Sequence, residues 1–469
     1  MVDHSKLNRR EACAALAAAA LAQQPDLRKA NQLFRPWMLA PFAADVTPPI
    51  GHPCMGGGIA PATRIVDPLE AIGFVLSGGT LARPVVFVVL DWCELRNDAY
   101  DRWREVLAQS ARTDIEHVLV TTVHQHDAPI ADLRAERMLE DNHSSGLICN
   151  RAFHELAVQR VARALRLNLT KAVRLTHLGI GQAKVEKVAS NRRYALADGT
   201  IVYDRTSASH SPRAHEAPEE TVDPWLKTLS FWSGDVPVLA LSHYAVHPMS
   251  YYGQGGVSAD FVGLARRARQ KALPNVWQLY ASGCSGNVTA GKYNDGDPEN
   301  RPVLAARLET AMSQAWTATK RLPFERADFR VAPLRFEPRN DTGFSKEELK
   351  ARLTGDPKPF GQCLAALGLS WRDRVDSGQS VDLPVLDLGP VVLVLLPGES
   401  YVEYQLLAQQ LRPDAFVMAI GYGEAATGYI PTRLQVAEHD ANLRDWCWVA
   451  PSAEKILSDA LQRVLKAPS

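Results

Sequence analysis

The chain has 469 residues, 46% of them apolar and 22% charged, enough for a sizeable hydrophobic core and unlike a disordered chain. Lys and Arg together number 52, as do Asp and Glu, and no long run of one sign occurs, which argues against a nucleic-acid partner. The longest apolar runs, 84–90 and 391–396, are too short to span a bilayer.

Residues 1–25 read as an export signal. Lys6, Arg9 and Arg10 make a basic start, and residues 12–22 are mostly Ala and Leu. Ala20-Leu21-Ala22 is a small-x-small cleavage pattern ahead of Gln23. The Arg pair suggests the twin-arginine route, although Glu11-Ala12 stand where a bulky apolar residue is usual. The expected location is periplasmic or extracellular. Removal of the signal would take Cys13 and leave six Cys. No CxxC pair exists, which argues against a thiolate zinc site, and the spacing leaves any disulfide pairing open.

From residue 38 to 469 the chain reads as one domain, without a linker or an internal repeat. Short apolar runs rich in β-branched residues predict strands at 85–91, 117–123, 238–246, 276–281, 391–396 and 416–420. Helical spacing predicts helices at 151–167, with Phe153, Ala157, Val161 and Ala164 on one face, and at 302–316, with Leu304, Leu308, Ala311 and Ala315. Ser345 and Glu348 form a capping box that opens a further helix. The alternation predicts an α/β fold, a mixed β-sheet core flanked by helices. Residues 195–224 are polar and read as a long loop over the site.

The chemistry gathers at strand ends. His124 and His126 follow the run 117–123, and residues i and i+2 of a strand share a face, so the two imidazoles would project together. His247 follows the run 238–246, Glu399 follows 391–396, and Tyr429 comes shortly after 416–420. Ligands of open α/β sheets collect at the C-terminal ends of strands, so four donors could converge on one cleft. Each also has a plain structural reading. The histidines could be incidental, and His247 could be a hydrogen-bonded residue before Pro248. Glu399 could be the acidic start of a helix at 401–411, and Tyr429 a core aromatic.

Taken together and in order, the segments resemble the catalytic domain of the neutral/alkaline non-lysosomal ceramidase family. They are Asp45-Val-Thr-Pro-Pro-Ile-Gly51, Met55-Gly-Gly57, Asp67-Pro-Leu-Glu-Ala71 and Val88-Val-Leu-Asp91. Thr122-Val-His124-Gln-His126-Asp127-Ala-Pro129 follows, resembling the family's THTHSGP with Gln125, Asp127 and Ala128 substituted. Then come Tyr244-Ala-Val-His247-Pro248, Ser258-Ala-Asp260, Gly283-Cys-Ser-Gly-Asn-Val288, Pro397-Gly-Glu399 and Gly428-Tyr-Ile430. The chain ends about forty residues after Tyr429, so the resemblance covers the catalytic domain without the C-terminal immunoglobulin-like domain of larger relatives.

The resemblance implies a Zn2+ ion held by His124, His247, Glu399 and Tyr429, with His126 acting on the reacting group. It implies a zinc-dependent amidohydrolase of sphingolipid metabolism in which zinc-bound hydroxide attacks an N-acyl bond. A Tyr ligand needs a nearby cation to favour its phenolate. Asp260 and Arg192 are further candidates, around the ligands or at the substrate; Asp260 could instead belong to the first turn of the next helix. The expected substrate is a lipid or small-molecule N-acyl compound. A zinc hydrolase of a more soluble amide or ester, and a non-catalytic binding protein on the same fold, are the alternatives. No transmembrane anchor is expected after signal removal, and oligomeric state is left open.

Overall fold

The structure, a computed structural model, describes residues 35–144 and 146–466; the export segment expected at 1–25 lies outside them. The first sheet opens with β1 (Trp37–Asp45), β2 (Glu70–Ser77) and β3 (Val85–Leu90), antiparallel in chain order. Helix α1 (Asn97–Ala111) carries the chain over to β4 (Val118–Thr122), which lies parallel to β3. Strand β5 (Val173–Leu175) takes the other edge, giving the order β4-β3-β2-β1-β5.

The same plan is used twice more. Strands β6 (His177–Lys184), β7 (Trp225–Ser233) and β8 (Val236–Tyr244) are antiparallel. Helix α2 (Asp260–Ala272) then leads to β9 (Trp277–Ser282), parallel to β8, and β10 (Lys320–Pro323) lies outside β6. Finally β11 (Asp328–Leu334), β12 (Val381–Asp387) and β13 (Val391–Leu395) are antiparallel, and α3 (Val402–Leu411) leads to β14 (Phe416–Ile420), parallel to β13. The topology is thus repeated three times without a repeat of sequence. What recurs is a plan of short buried strands and one crossover helix, which dissimilar sequences satisfy equally well.

The three parallel edge strands, β4, β9 and β14, meet at their C-terminal ends. Thr122 N donates to Tyr422 O at 3.2 Å, Gly421 N to Ser282 O at 3.0 Å, and Ser282 Oγ to Val123 O at 2.8 Å. Each sheet thus pairs its exposed edge with the others where the backbone would otherwise lack partners. The strands also separate two hydrophobic cores. In β3, Val86, Val88 and Leu90 face one core, while Val85, Phe87 and Val89 face the other. In β13, Val392 and Val394 oppose Val391, Leu393 and Leu395 in the same way. Burial on both faces is why these strands read as unbroken apolar runs and not as alternating ones.

The expected helices form at Arg151–Leu169 and Asn300–Thr317, and Ser345 and Glu348 make the capping box. The polar stretch 195–224 is mostly irregular, with one short helix, Pro212–Glu216. Cys54, Cys93, Cys149, Cys284, Cys363 and Cys447 are buried free thiols, so no disulfide links the described residues. Among them no helix is long and apolar enough to cross a membrane.

Phe74 of β2 couples two sheets. It is fully buried, with ring centroids 5.4 Å from Phe87 of β3 and 5.3 Å from Phe231 of β7. Phe74→Ala is expected to lower the unfolding free energy by about 3–5 kcal/mol, the transfer loss plus an unfilled cavity. Urea unfolding followed by tryptophan fluorescence measures it, and a loss under about 1 kcal/mol would contradict the packing described.

Candidate metal centre

The meeting point of the three sheets brings three side chains from distant parts of the chain into contact. His124 lies two residues beyond β4, with a left-handed φ of 66° that is uncommon for a side chain branching into a packed site. Its backbone N–H donates to Trp92 O at 3.0 Å, which holds the turn. His247 follows β8, and Glu399 opens the two-residue strand Glu399–Ser400 just past β13. That strand pairs in parallel with Tyr429–Ile430, placing Glu399 beside Tyr429.

His124 Nε2 and His247 Nε2 are 3.1 Å apart, and each is 3.1 Å from Glu399 Oε2. The protons of both rings are committed elsewhere. His124 Nδ1 contacts Cys93 O at 3.2 Å, and His247 Nδ1 contacts Ser285 O at 2.7 Å. A carbonyl can only accept, so each Nδ1 carries the hydrogen and each Nε2 turns a bare lone pair inward. With both rings neutral, three lone-pair donors face one another, and Glu399 Oε2 has no hydrogen-bond partner. Such a triangle is repulsive unless a cation or a proton enters it. Its 3.1 Å edges lie slightly inside the separations of about 3.3–3.6 Å that a tetrahedral zinc ion with bonds of about 2.0–2.2 Å would set, so a small outward shift admits the ion. The residues present fit the ion that the resemblance implies.

The electrostatics agree. Burial alone would raise the Glu399 carboxyl, but the His124 and His247 imidazoles beside it hold it well below the usual carboxylate range. Burial and the Arg192 guanidinium push His247 down to about 4. His124 is opposed by burial yet lies above the ordinary histidine value, because Glu399 and Glu94 flank it. Tyr422, also left-handed with a φ of 58°, stacks on the His124 ring at 4.3 Å and donates or accepts at Ser285 Oγ across 2.7 Å. It fixes the ring plane that aims Nε2 inward.

A cavity of about 50 Å3 adjoins the triangle, walled by Met55, Cys93, Glu94, His126, Ile130, Tyr429 and Trp446 with His124 and Glu399. That is room for a few waters or one small functional group. The His126 ring lies 5.2 Å from His124 and 4.9 Å from Tyr252, and its Nδ1 is buried without a partner. Burial, with His124 and His247 nearby, holds it well below its ordinary value and hence neutral. Tyr429 presents its hydroxyl to Arg192 Nη1 at 2.7 Å. Burial pushes that phenol up while the guanidinium pulls it down. Arg192 is therefore the cation a Tyr ligand would need. A much larger hollow, about 1000 Å3, lies against Arg339, Leu443 and Cys447, and none of the three ligand atoms opens into it.

Several sequence expectations change in detail. His124 and His126 share the cavity, but β4 ends at Thr122, so a left-handed turn and not strand alternation brings them together. Asp260 begins α2 and is tied to Ser250 N at 3.1 Å and Arg301 Nη2 at 3.3 Å, away from the cavity wall. Residues 195–224 contribute no side chain to that wall. Cys93, Glu94, Tyr422 and Trp446 escaped the sequence reading. Glu94 alone had a signal, a charged Glu94-Leu-Arg96 directly behind the apolar run 85–91.

No protein-family model and no curated protein matches the chain. Solved structures do. A crystal structure of neutral ceramidase from Pseudomonas aeruginosa superposes with a TM-score of 0.68 at 17% identity, over 92% of this chain and 74% of that one. The chain has the neutral ceramidase fold. A ceramidase complexed with C2 superposes equally well, with a TM-score of 0.68 at 16% identity, over 92% of this chain and 75% of the other. The fold is thus shared at low sequence identity.

Proposed function

We propose that the protein is a ceramidase-like zinc amidohydrolase. The observation that carries this reading is the triangle of His124 Nε2, His247 Nε2 and Glu399 Oε2, whose lone pairs converge while both imidazole protons are spent on carbonyls. These three residues, with Tyr429 as a fourth, would hold the zinc. When bound, the ion supplies a Lewis acid and lowers the pKa of a coordinated water to about 7. His126, neutral and with an unpartnered Nδ1, would donate a hydrogen bond from its ring N–H to the carbonyl oxygen as charge builds there. Arg192 steadies the Tyr429 oxygen. Met55, Ile130 and Trp446 keep the wall dry, which strengthens each of these contacts. An export signal at 1–25, expected from the sequence, would put this activity outside the cytoplasm.

The cavity accepts the reacting group but not a chain, so any acyl or sphingoid tail must lie outside it. The activity of the structural neighbours favours ceramide, and the small cavity leaves room for a more soluble amide or an ester. The test compares kcat/KM for short-chain and long-chain N-acylsphingosine in detergent with that for a water-soluble N-acyl amide. Ceramidase activity predicts cleavage of both lipids. A tenfold advantage of the long chain, about 1.4 kcal/mol of transition-state binding, removes the soluble-substrate alternative. No hydrolysis of any amide or ester by protein carrying its metal would leave only the non-catalytic reading.

A further inference from the structure

His126, the donor of the proposed reaction, is held in place by no hydrogen bond. Its Nδ1 is buried without a partner, and among the described residues none bonds to its other ring nitrogen. Packing alone sets the plane of the ring. Three aromatic rings meet it at near right angles. Tyr252 is nearest, at 4.9 Å and 79°, followed by His124 at 5.2 Å and 85° and His247 at 5.9 Å and 75°. These are ordinary edge-to-face spacings. Of the three, Tyr252 alone is not a candidate ligand.

Tyr252 stands in the turn 250–255, five residues beyond His247, and that turn is anchored along its length. Ser250 is fully buried; its N–H donates to Asp260 Oδ2 at 3.1 Å, and its carbonyl accepts from Asn294 Nδ2 at 2.6 Å. The Arg301 guanidinium lies 3.8 Å over the Tyr251 ring and donates from Nη2 to Tyr251 O at 2.7 Å. Gly253 N donates to Asp127 Oδ1 at 2.8 Å, with a φ of 86° that glycine adopts without strain. Tyr252 is therefore carried by backbone held on both sides of it. Asp127 follows His126 directly and stands where the resembled motif has Ser. The carboxylate that seats the turn thus belongs to the same segment as the ring that the turn meets. Tyr252 itself is half-buried and contributes nothing to the wall of the small cavity. Its place is against His126 and not against the reacting group.

We propose that Tyr252 is a positioning residue, whose ring holds the His126 imidazole in the plane that brings its N–H to the substrate carbonyl. The proposal rests on the hydrolase reading and adds to it a residue outside the cavity. The aromatic ring acts and not the hydroxyl, because the contact with His126 is ring to ring. An edge-to-face pair biases one ring orientation over others by at most about tenfold, which bounds the effect.

The test uses the metal-loaded full chain and short-chain N-acylsphingosine, or the water-soluble N-acyl amide if that is what the wild type cleaves. Tyr252→Ala should lower kcat about three- to tenfold, with KM within about twofold and the metal retained. Tyr252→Phe restores the ring without the hydroxyl and should recover most of the loss. In a His126→Ala background Tyr252→Ala should cost nothing further, because its effect runs through the ring already removed. Equal losses in both backgrounds, a rise in KM in place of the fall in kcat, loss of metal, or no recovery in Tyr252→Phe overturns the proposal. A second readout needs no substrate. With 13C-labelled histidine, relaxation of the His126 Cε1–H signal, assigned by its absence in His126→Ala, should report a rigid ring in the wild type and Tyr252→Phe and a mobile one in Tyr252→Ala. A ring equally rigid in Tyr252→Ala also overturns the proposal. If the ring loosens as expected while the wild type hydrolyses no amide or ester, the hydrolase reading fails and the hold of Tyr252 on His126 stands.

Discussion

His124→Ala is expected to strip the metal from the protein and to lower activity by at least about 10³-fold. Removing one of three converging ligands leaves only His247 Nε2 and Glu399 Oε2, 3.1 Å apart, with Tyr429 beside them, too few donors for a firmly held ion. The acidified water then goes with the ion, and ordinary water is a far poorer nucleophile near neutral pH. His247→Ala should behave alike. Glu399→Gln is the sharper variant, because it preserves shape and removes only the charge that both imidazoles face. Metal analysis of dialysed protein reads the first effect and the amide hydrolysis assay the second. Near-UV circular dichroism checks that packing survives. Full metal occupancy in both histidine variants would refute the ligand assignment.

His126→Ala should give the opposite split, with metal retained and kcat lowered by about 10²–10⁴-fold, the usual worth of a positioned proton-transfer group. The His126 ring reaches the cavity, but its nitrogens lie outside the tight triangle of 3.1 Å contacts. Its buried Nδ1 has no protein partner, as expected of a group that meets substrate. His126→Gln keeps a donor and should recover part of the loss. Metal loss in His126→Ala would make the residue a ligand instead, and unchanged kcat would remove it from the reaction.

Much of this was open to reading in the sequence. The strands of the three parallel pairs announced themselves because they are buried on both faces, as Val85–Leu90 and Val391–Leu395 are. The helix at Arg151–Leu169 showed its spacing, and Ser345 with Glu348 its cap, because both signals are local. His124, His247, Glu399 and Tyr429 stood out because each follows the end of an apolar run. The reading went astray where a turn overrode a strand, at the left-handed His124, while Asp260 took the first helical turn that had been its alternative.

The sequence by itself determined the six strands of the parallel pairs, the helices named above and which polar residues sit at those strand ends. Those outcomes depend on hydrophobic burial and capping within a few residues of chain. Only the tertiary structure decided that three edge strands meet, and hence that His124 and His247, 123 residues apart, touch. It alone decided where each imidazole proton goes, since the acceptors are backbone carbonyls of Cys93 and Ser285 that no side-chain pattern reveals. Contacts of this kind are set by the packing of distant segments, where one residue's partner depends on every neighbour's, and local chemistry carries no record of them.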